Sequence, residues 1–220
     1  MAATGDLADR VIRVAVVDDD DLVRSGLVAI LGLEDDIEVV GDAADGAEVP
    51  ALVVRARPDV VLMDVRMPRI DGILATQRVA ADQDGPAVVV ITTFENDSYV
   101  HDALLAGARA FVLKRATPEE LLVAVRTVAR TDSLVFPEAI RRIAAKATTA
   151  SPPAWVARLT ARECEVLGEV ARGLTNAEVA ASLFVSLETV KSHLRSLLAK
   201  SGSRHRTELV IRAYEAGLLS

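Results

Sequence analysis

Acidic side chains form the densest group of reactive residues in the sequence. Four aspartates, Asp18–Asp21, follow the apolar run Ile12–Val17, and another, Asp64, closes a later apolar run. A hydroxyl, Thr92, and an ammonium, Lys114, come directly after two further runs of the same kind. Short, continuous runs of valine and isoleucine are typical of strands buried on both faces of a parallel sheet. We therefore expect all these polar groups to lie at strand ends.

Carboxylates gathered from neighbouring strands predict phosphoryl chemistry assisted by a metal. Such carboxylates repel one another unless a cation lies between them, and Mg²⁺ prefers oxygen ligands that it shares with phosphate. A carboxylate can itself attack phosphorus while the metal neutralises charge on the transferred group. Thr92 and Lys114 would then donate to the phosphoryl oxygens. Any one of these residues alone would be typical of a solvated loop, so the prediction depends on their coincidence.

Residues 1–131, with a core of about 12–130, alternate predicted strands with predicted helices. The strands are Ile12–Val17, Ile37–Val40, Val60–Met63, Val88–Ile91 and Ala110–Leu113. The helices are Leu22–Leu31, Val49–Arg57, Ile73–Ala81, Tyr99–Ala106 and Pro118–Ala129, the last preceded by the capping sequence Thr117-Pro-Glu-Glu120. Five βα units predict a doubly wound parallel five-stranded α/β domain, which binds ligands at the carboxyl ends of its strands.

The remainder of the chain predicts a linker and a small all-α domain. Residues 132–154 are a proline-ended linker that can include a short helix over Pro137–Ala147. Residues 155–220 carry capping boxes at Thr160–Glu163 and Thr175–Glu178 and an N-cap at Ser186. The helices predicted after them are Ala161–Ala171, Asn176–Leu183, Leu187–Ser201 and a fourth from Arg206 to Ala216.

Composition restricts the classes of protein that the chain can belong to. The net charge is −7, which divides into −10 over residues 1–131, +1 over residues 132–154 and +2 over residues 155–220. A charge of +2 is by itself weak evidence for nucleic-acid binding. No apolar run approaches the ~18 residues of a membrane span, no secretory signal begins the sequence, and the lone Cys164 excludes an internal disulfide. These features predict a cytoplasmic protein that does not associate with a membrane.

Residues 12–130 resemble a receiver domain, and residues 155–219 resemble the LuxR-type helix-turn-helix of NarL/FixJ-family response regulators. The resemblance implies that a sensor histidine kinase phosphorylates Asp64 in the presence of Mg²⁺. The implied metal ligands are Asp18, Asp19, Asp64 and the carbonyl of Arg66. Thr92 and Phe111 match the switch pair of such domains, and Lys114 matches the lysine that binds the phosphoryl oxygen.

Two departures from the family pattern concern residues beside this site. Asp20 and Asp21 stand where the subfamily often has His-Pro, and Arg115 stands where other receivers have proline. We expect Asp20 and Asp21 to be solvated charges at a helix start, where the helix dipole favours them.

Phosphate release should be slow, because the two side chains that flank the path of the attacking water, Arg66 and Phe94, are large and cannot act as bases.

The predicted recognition helix presents two cations on one face. Lys191 and Arg195 are four residues apart, and Ser192 lies beside them. In a helix-turn-helix the amino-terminal part of this helix enters the major groove of DNA, so these three are the base-facing candidates. The candidates for contacts with the DNA backbone are Asn176, Ser186 and Thr189. The family resemblance further implies a homodimer when phosphorylated, bound to promoter half-sites and paired through the last helix.

Alternative functions remain open from the sequence alone. A haloacid-dehalogenase-like phosphatase needs a second acid two residues after its nucleophile, where this chain has Arg66. A flavodoxin-like flavin carrier needs a phosphate loop after the first strand, where this chain has four aspartates. The alternative that the residues leave open is a DNA-binding regulator that retains the receiver fold but acts independently of phosphorylation.

Overall fold

The computed structural model describes residues 10–82, 85–93, 97–135 and 152–219. Contacts divide the chain into two compact units, the first drawn from residues 1–95 and 110–131 and the second from residues 96–109 and 132–220. The short helix predicted over Pro137–Ala147 lies outside the described residues. Among the described helices, none combines the length and the apolar composition needed to cross a membrane.

The first unit is built on a parallel sheet of five strands. They are β1 (Ile12–Val17), β2 (Ile37–Ala43), β3 (Val60–Asp64), β4 (Ala87–Thr92) and β5 (Ala110–Leu113), in the spatial order β2-β1-β3-β4-β5. Every residue of β3 and β4 is buried, as expected for central strands covered on both faces. The strand order reverses between β1 and β3, which is where a doubly wound sheet binds its ligands. The predicted fold class is confirmed.

Helices connect these strands as the sequence pattern predicts, with boundaries that shift by at most two residues. Their bounds are α1 (Asp21–Leu31), α2 (Val49–Ala56) after a 3₁₀ turn at Gly46–Glu48, α3 (Gly72–Ala80), α4 (Asp97–Ala106) and α5 (Pro118–Arg130). Helix α4 groups with the second unit. The capping box before α5 is present, because Glu120 N donates to Thr117 Oγ1 at 3.3 Å and Thr117 N donates to the Glu120 carboxylate at 3.0 Å.

Strand β2 runs three residues beyond its predicted end at Val40. Val14 pairs with Val39 and Ala15 pairs with Gly41, so Val40 is an extra residue in the ladder. A Cβ at position 41 would lie 2.8 Å from Leu52 Cδ1, so a larger residue there would require the Leu52 side chain to shift. The extension brings the Ala43 carbonyl to within 3.1 Å of the Asp18 amide. Strand β2 therefore supports the start of the segment Asp18–Asp21, which we call the acidic loop.

The second unit contains the predicted all-α domain. Its helices are α6 (Ala161–Ala171), α7 (Asn176–Ser182), α8 (Leu187–Ser201) and α9 (Arg206–Glu215). Both predicted capping boxes are present, at Thr160 and Thr175, and Ser186 caps α8. The helices pack around fully buried aliphatic side chains, namely Val166, Leu167, Val170, Val179, Val190, Leu197, Leu209, Val210 and Ile211.

A buried carboxylate joins α6 to α8. Glu163 is 3% exposed, and it accepts hydrogen bonds from Lys200 Nζ at 2.6 and 2.7 Å, Ser196 Oγ at 2.6 Å and the Thr160 amide at 2.7 Å. Burial by itself would raise the pKa of Glu163. The donors outweigh that effect and hold its pKa at about 2, below the usual 4.5.

We expect Glu163→Gln to lower the free energy of unfolding of the all-α domain by about 2 kcal/mol at neutral pH, since it removes charge-assisted hydrogen bonds. Because the folded-state pKa of Glu163 is depressed, its contribution is complete above pH 4.5 and shrinks as the pH falls toward 2. The deficit of the variant should therefore shrink on acidification.

Urea unfolding followed by tryptophan fluorescence measures this domain alone, because the single tryptophan, Trp155, lies in it and is buried. The control is Glu165→Gln, which removes an exposed carboxylate paired with Arg162 and should change stability little. Equal effects of the two substitutions would contradict the assignment.

Candidate functional site

Three carboxylates converge at the carboxyl ends of β1 and β3. One oxygen each of Asp18, Asp19 and Asp64 lies within 4.8 Å of the others. Asp18 and Asp64 are 1% and 5% exposed, whereas Asp19 faces solvent. The sequence placed these residues at strand ends, and the adjacency of β1 and β3 brings them together. We call this group with Lys114 and Thr92 the acidic pocket.

A single ammonium lies between the two buried carboxylates. Lys114 Nζ is 2.7 Å from Asp18 Oδ2 and 2.9 Å from Asp64 Oδ1. The Lys114 amide donates to the Thr92 carbonyl at 2.8 Å, so the end of β4 fixes the position from which the lysine reaches across. Thr92 is itself buried.

The electrostatics of the acidic pocket favour an additional positive charge. Burial raises the pKa of Asp64 above its usual value; Lys114 opposes this effect, and the charge of Asp18 adds to it. Burial would lower the pKa of Lys114, but Asp18 and Asp64 raise it above its usual value. Three carboxylates and one ammonium leave the acidic pocket with an excess of negative charge. The carboxylates offer only oxygen ligands, and that of Asp19 is open to water. This donor set fits a hard divalent cation such as Mg²⁺.

The backbone after Asp64 is fixed by contacts that the sequence reasoning missed. A Cβ at position 72 would lie 1.8 Å from the Asp64 carbonyl oxygen, so only glycine allows this close approach. Gly72 N donates to the Val65 carbonyl at 2.9 Å, and Arg66 N donates to Asp64 Oδ2 at 2.9 Å. The loop that contains Arg66 is thereby held against the carboxylate.

Outside the acidic pocket, the carboxylate of Asp45 holds the far end of the loop that contains Arg66. Asp45 is buried, and it accepts from the amides of Ala47 at 2.8 Å, Arg69 at 2.8 Å and Ile70 at 3.2 Å. These bonds lower the pKa of Asp45 in spite of burial, which would raise it. The Asp-Gly pair at 45–46 is a turn signal that could have indicated the local bond to Ala47, but not the bonds to Arg69 and Ile70.

Asp20 and Asp21 lie exposed at the start of α1, as expected, and they also make specific contacts there. Asp20 caps the helix, because its Oδ1 accepts from the amides of Leu22 at 2.9 Å and Val23 at 3.2 Å. Asp21 pairs with Arg24, whose Nη1 also donates to the Asp18 carbonyl at 2.6 Å. These residues hold the acidic loop in place, and dipole arguments alone did not predict that.

The remaining residues predicted around the acidic pocket are placed as follows. Phe111 is half-buried on β5 and pairs with Val90 of β4, which lies two residues before Thr92. The Arg66 side chain is exposed. Phe94 lies outside the described residues.

In the all-α domain, α8 presents its cations away from the core. Val190 and Leu197 are buried, whereas Ser192 and Arg195 are exposed. Glu188, one turn earlier, lies 2.9 Å from Lys191 Nζ and 3.9 Å from Arg195 Nη2. The Lys191 hydrogen bond lowers the pKa of Glu188, which keeps it ionised between the two cations.

The other predicted DNA-contacting residues are engaged within the domain. Ser186 Oγ accepts from the Thr189 amide at 3.1 Å and lies 2.8 Å from the Thr189 hydroxyl. Asn176 Oδ1 accepts from Arg206 Nη1 at 2.9 Å, which ties α7 to α9. The start of α7 and the start of α8 are therefore fixed by side-chain contacts.

The doubly wound sheet with its acidic pocket and the separate helix-turn-helix define a response regulator. The family model for the response regulator receiver domain matches residues 14–126, and that for bacterial regulatory proteins of the luxR family matches residues 157–213. The chain belongs to the response regulators that carry a LuxR-type DNA-binding domain.

Relatives of full length support this assignment. The transcriptional regulatory proteins YxjL and LiaR of Bacillus subtilis are 37% and 36% identical over 94% and 95% of this chain, which covers 97% and 100% of their lengths. The crystal structure of ChrA, a response regulator of a heme-sensing two-component system, is 34% identical with a TM-score of 0.50, over 94% of this chain and 98% of ChrA.

We expect Lys114→Met to destabilise the receiver by about 3 kcal/mol at neutral pH, because two buried carboxylates lose their shared partner. Protonation of Asp64, whose pKa is already raised, relieves the unpaired charge, so the deficit should shrink as the pH falls. Circular dichroism during urea unfolding measures the effect. Arg55→Met, at an exposed position on α2, is the control, and a deficit independent of pH would contradict the assignment.

Proposed function

We propose that this chain is a phosphorylation-controlled, DNA-binding transcription regulator, with Asp64 as the acceptor of a phosphoryl group from a sensor histidine kinase. The observation that carries the proposal is the position of Asp64, buried beside Asp18 and Lys114 at the carboxyl edge of the sheet. The proposed metal ligands are Asp18, Asp19, Asp64 and the carbonyl of Arg66, and Mg²⁺ bound there would neutralise charge on the transferred group.

Phosphoryl transfer requires little covalent chemistry from the protein. A carboxylate oxygen of Asp64 attacks phosphorus, an O–P bond forms, and the P–N bond to the kinase histidine breaks with its electron pair returning to the imidazole. Lys114, already 2.9 Å from Asp64, can bind a phosphoryl oxygen without a large movement. Arg66 N, which donates to Asp64 Oδ2, keeps the carboxylate oriented.

The added phosphoryl charge, roughly −1.5 to −2, is the proposed signal. Thr92 would donate its hydroxyl to the phosphoryl group, and Phe111 would turn inward to fill the space. This exchange would alter the surface around Phe111 and favour a homodimer. A two-fold dimer suits paired half-sites about one helical turn apart. The signal should be long-lived if Arg66 and Phe94 obstruct hydrolytic water.

Asp64→Asn should abolish the phosphoryl adduct formed with acetyl phosphate and Mg²⁺, because the amide lacks the nucleophilic charge. Intact mass measures the adduct, and sedimentation with and without beryllofluoride measures dimerisation. Asp21→Asn is the control, because Asp21 lies in the acidic run Asp18–Asp21 but outside the acidic pocket. An adduct that persists in Asp64→Asn would show that another residue accepts the phosphoryl group. The absence of an adduct in the parent would favour a phosphorylation-independent regulator. Steady release of phosphate would favour an enzyme.

Lys191→Ala and Arg195→Ala should each weaken binding to a specific site by about 1–3 kcal/mol if they contact bases. Contacts with phosphate alone would weaken specific and random DNA alike and reduce the salt dependence. Titrations of both DNAs at several salt concentrations separate the two cases. Arg172→Ala, which removes an exposed cation paired with Glu169 on α6, is the control. Unchanged binding in both α8 variants would contradict the assignment of the recognition helix.

A further inference from the structure

The turn between α7 and α8 exposes an aromatic ring. Phe184 is 95% exposed, the largest exposure among the large hydrophobic residues of the described chain. Its burial therefore contributes almost nothing to folding. An exposed aromatic residue at this position calls for an explanation outside the folded domain.

The backbone of Phe184 adds a second cost. Its φ is +54°, in the left-handed region, which a bulky residue adopts only at a penalty. The turn closes as a Schellman motif, with Val185 N donating to Ala180 O at 3.0 Å and Phe184 N to Ala181 O at 3.4 Å. The other three helices of this domain end on left-handed glycines, Gly173, Gly202 and Gly217. Phenylalanine replaces glycine only at the turn that leads into the recognition helix.

The platform beneath the ring is fixed by contacts within the domain. Arg162 Nη2, from α6, donates to the Leu183 carbonyl at 2.7 Å, directly before Phe184. Two residues after it, Ser186 caps α8 through the Thr189 amide. The ring is thus presented from an ordered turn, and holding it against a partner costs little additional backbone entropy.

We propose that Phe184 is a DNA-contacting residue whose ring packs on a deoxyribose at the edge of the major groove. This inference rests on the proposed function, in which the amino-terminal part of α8 enters the major groove and α7 crosses the backbone, so that the turn carrying Phe184 lies at the groove edge. The ring carries no charge, so its partner is the apolar face of a sugar, while Lys191 and Arg195 supply the charged contacts. Strain of this kind is retained where it serves a site.

The experiment compares Phe184→Gly, Phe184→Ala and Phe184→Tyr in the full chain, on random-sequence duplex DNA at several salt concentrations. Glycine should weaken binding about five- to tenfold, from loss of part of a buried ring. The loss should be equal at every salt concentration, because no counterion is released by the ring. Tyrosine should retain the affinity.

Stability should change in the opposite direction to affinity. Phe184→Gly should unfold at a higher urea concentration than Phe184→Ala and no lower than the parent, as glycine adopts the left-handed conformation without a Cβ clash. Trp155 fluorescence measures the midpoint. Arg57→Gly is the matched control, because Arg57 is the other described non-glycine residue with a positive φ and lies in the receiver. It should leave DNA affinity unchanged.

The outcomes distinguish this inference from the function on which it rests. Parental affinity in Phe184→Gly, a loss of affinity matched by a lower urea midpoint, or a changed salt slope would each overturn the deoxyribose contact while leaving a DNA-binding regulator. A parent that binds no duplex, with or without beryllofluoride, would overturn both.

Discussion

Repulsion between the buried carboxylates of Asp18 and Asp64 is the constraint on which the receiver depends. Neighbouring parallel strands bring both to one edge of the sheet, and a single ammonium, from Lys114, lies within 2.9 Å of each. A charge excess of this kind persists only if the surrounding backbone cannot relax away from it. The supports are the extension of β2 that holds the Asp18 amide, the Gly72 backbone against Asp64, and the Asp45 carboxylate that fixes the following loop.

The same ammonium serves two states of the proposed cycle. In the described structure Lys114 compensates Asp18 and Asp64 together, so neither carboxylate is fully paired. Transfer of a phosphoryl group would move negative charge outward from Asp64 by the length of one O–P bond, within reach of the same side chain. In the proposed cycle, partial compensation would keep Asp64 accessible to phosphorus, since a fully paired carboxylate would be a poorer nucleophile. The stability of the receiver and the proposed reactivity of Asp64 would then both depend on Lys114.

Sequence patterns predicted the elements and the site residues because both follow local rules. Apolar runs with polar ends located Asp18, Asp64, Thr92 and Lys114, and capping boxes located the helices of the second unit. Contacts between distant segments left no such signal. Asp45 binds amides more than 20 residues away, and the extra residue in β2 depends on the space that Leu52 leaves beside Gly41. The exposure of Phe184 was likewise unpredictable, since an aromatic residue between two helices is usually buried.

Two buried carboxylates that contact a lysine, Glu163 and Asp64, have pKa values shifted in opposite directions. Glu163 receives donors from Lys200, Ser196 and Thr160, and its pKa falls to about 2. Asp64 receives one amide and an ammonium shared with Asp18, and its pKa rises above the usual value. Burial raises the pKa of both groups; the donors outweigh it at Glu163, whereas at Asp64 burial and the charge of Asp18 outweigh the donors. Asp64 therefore retains an unmet demand for positive charge, which a bound divalent metal ion can satisfy.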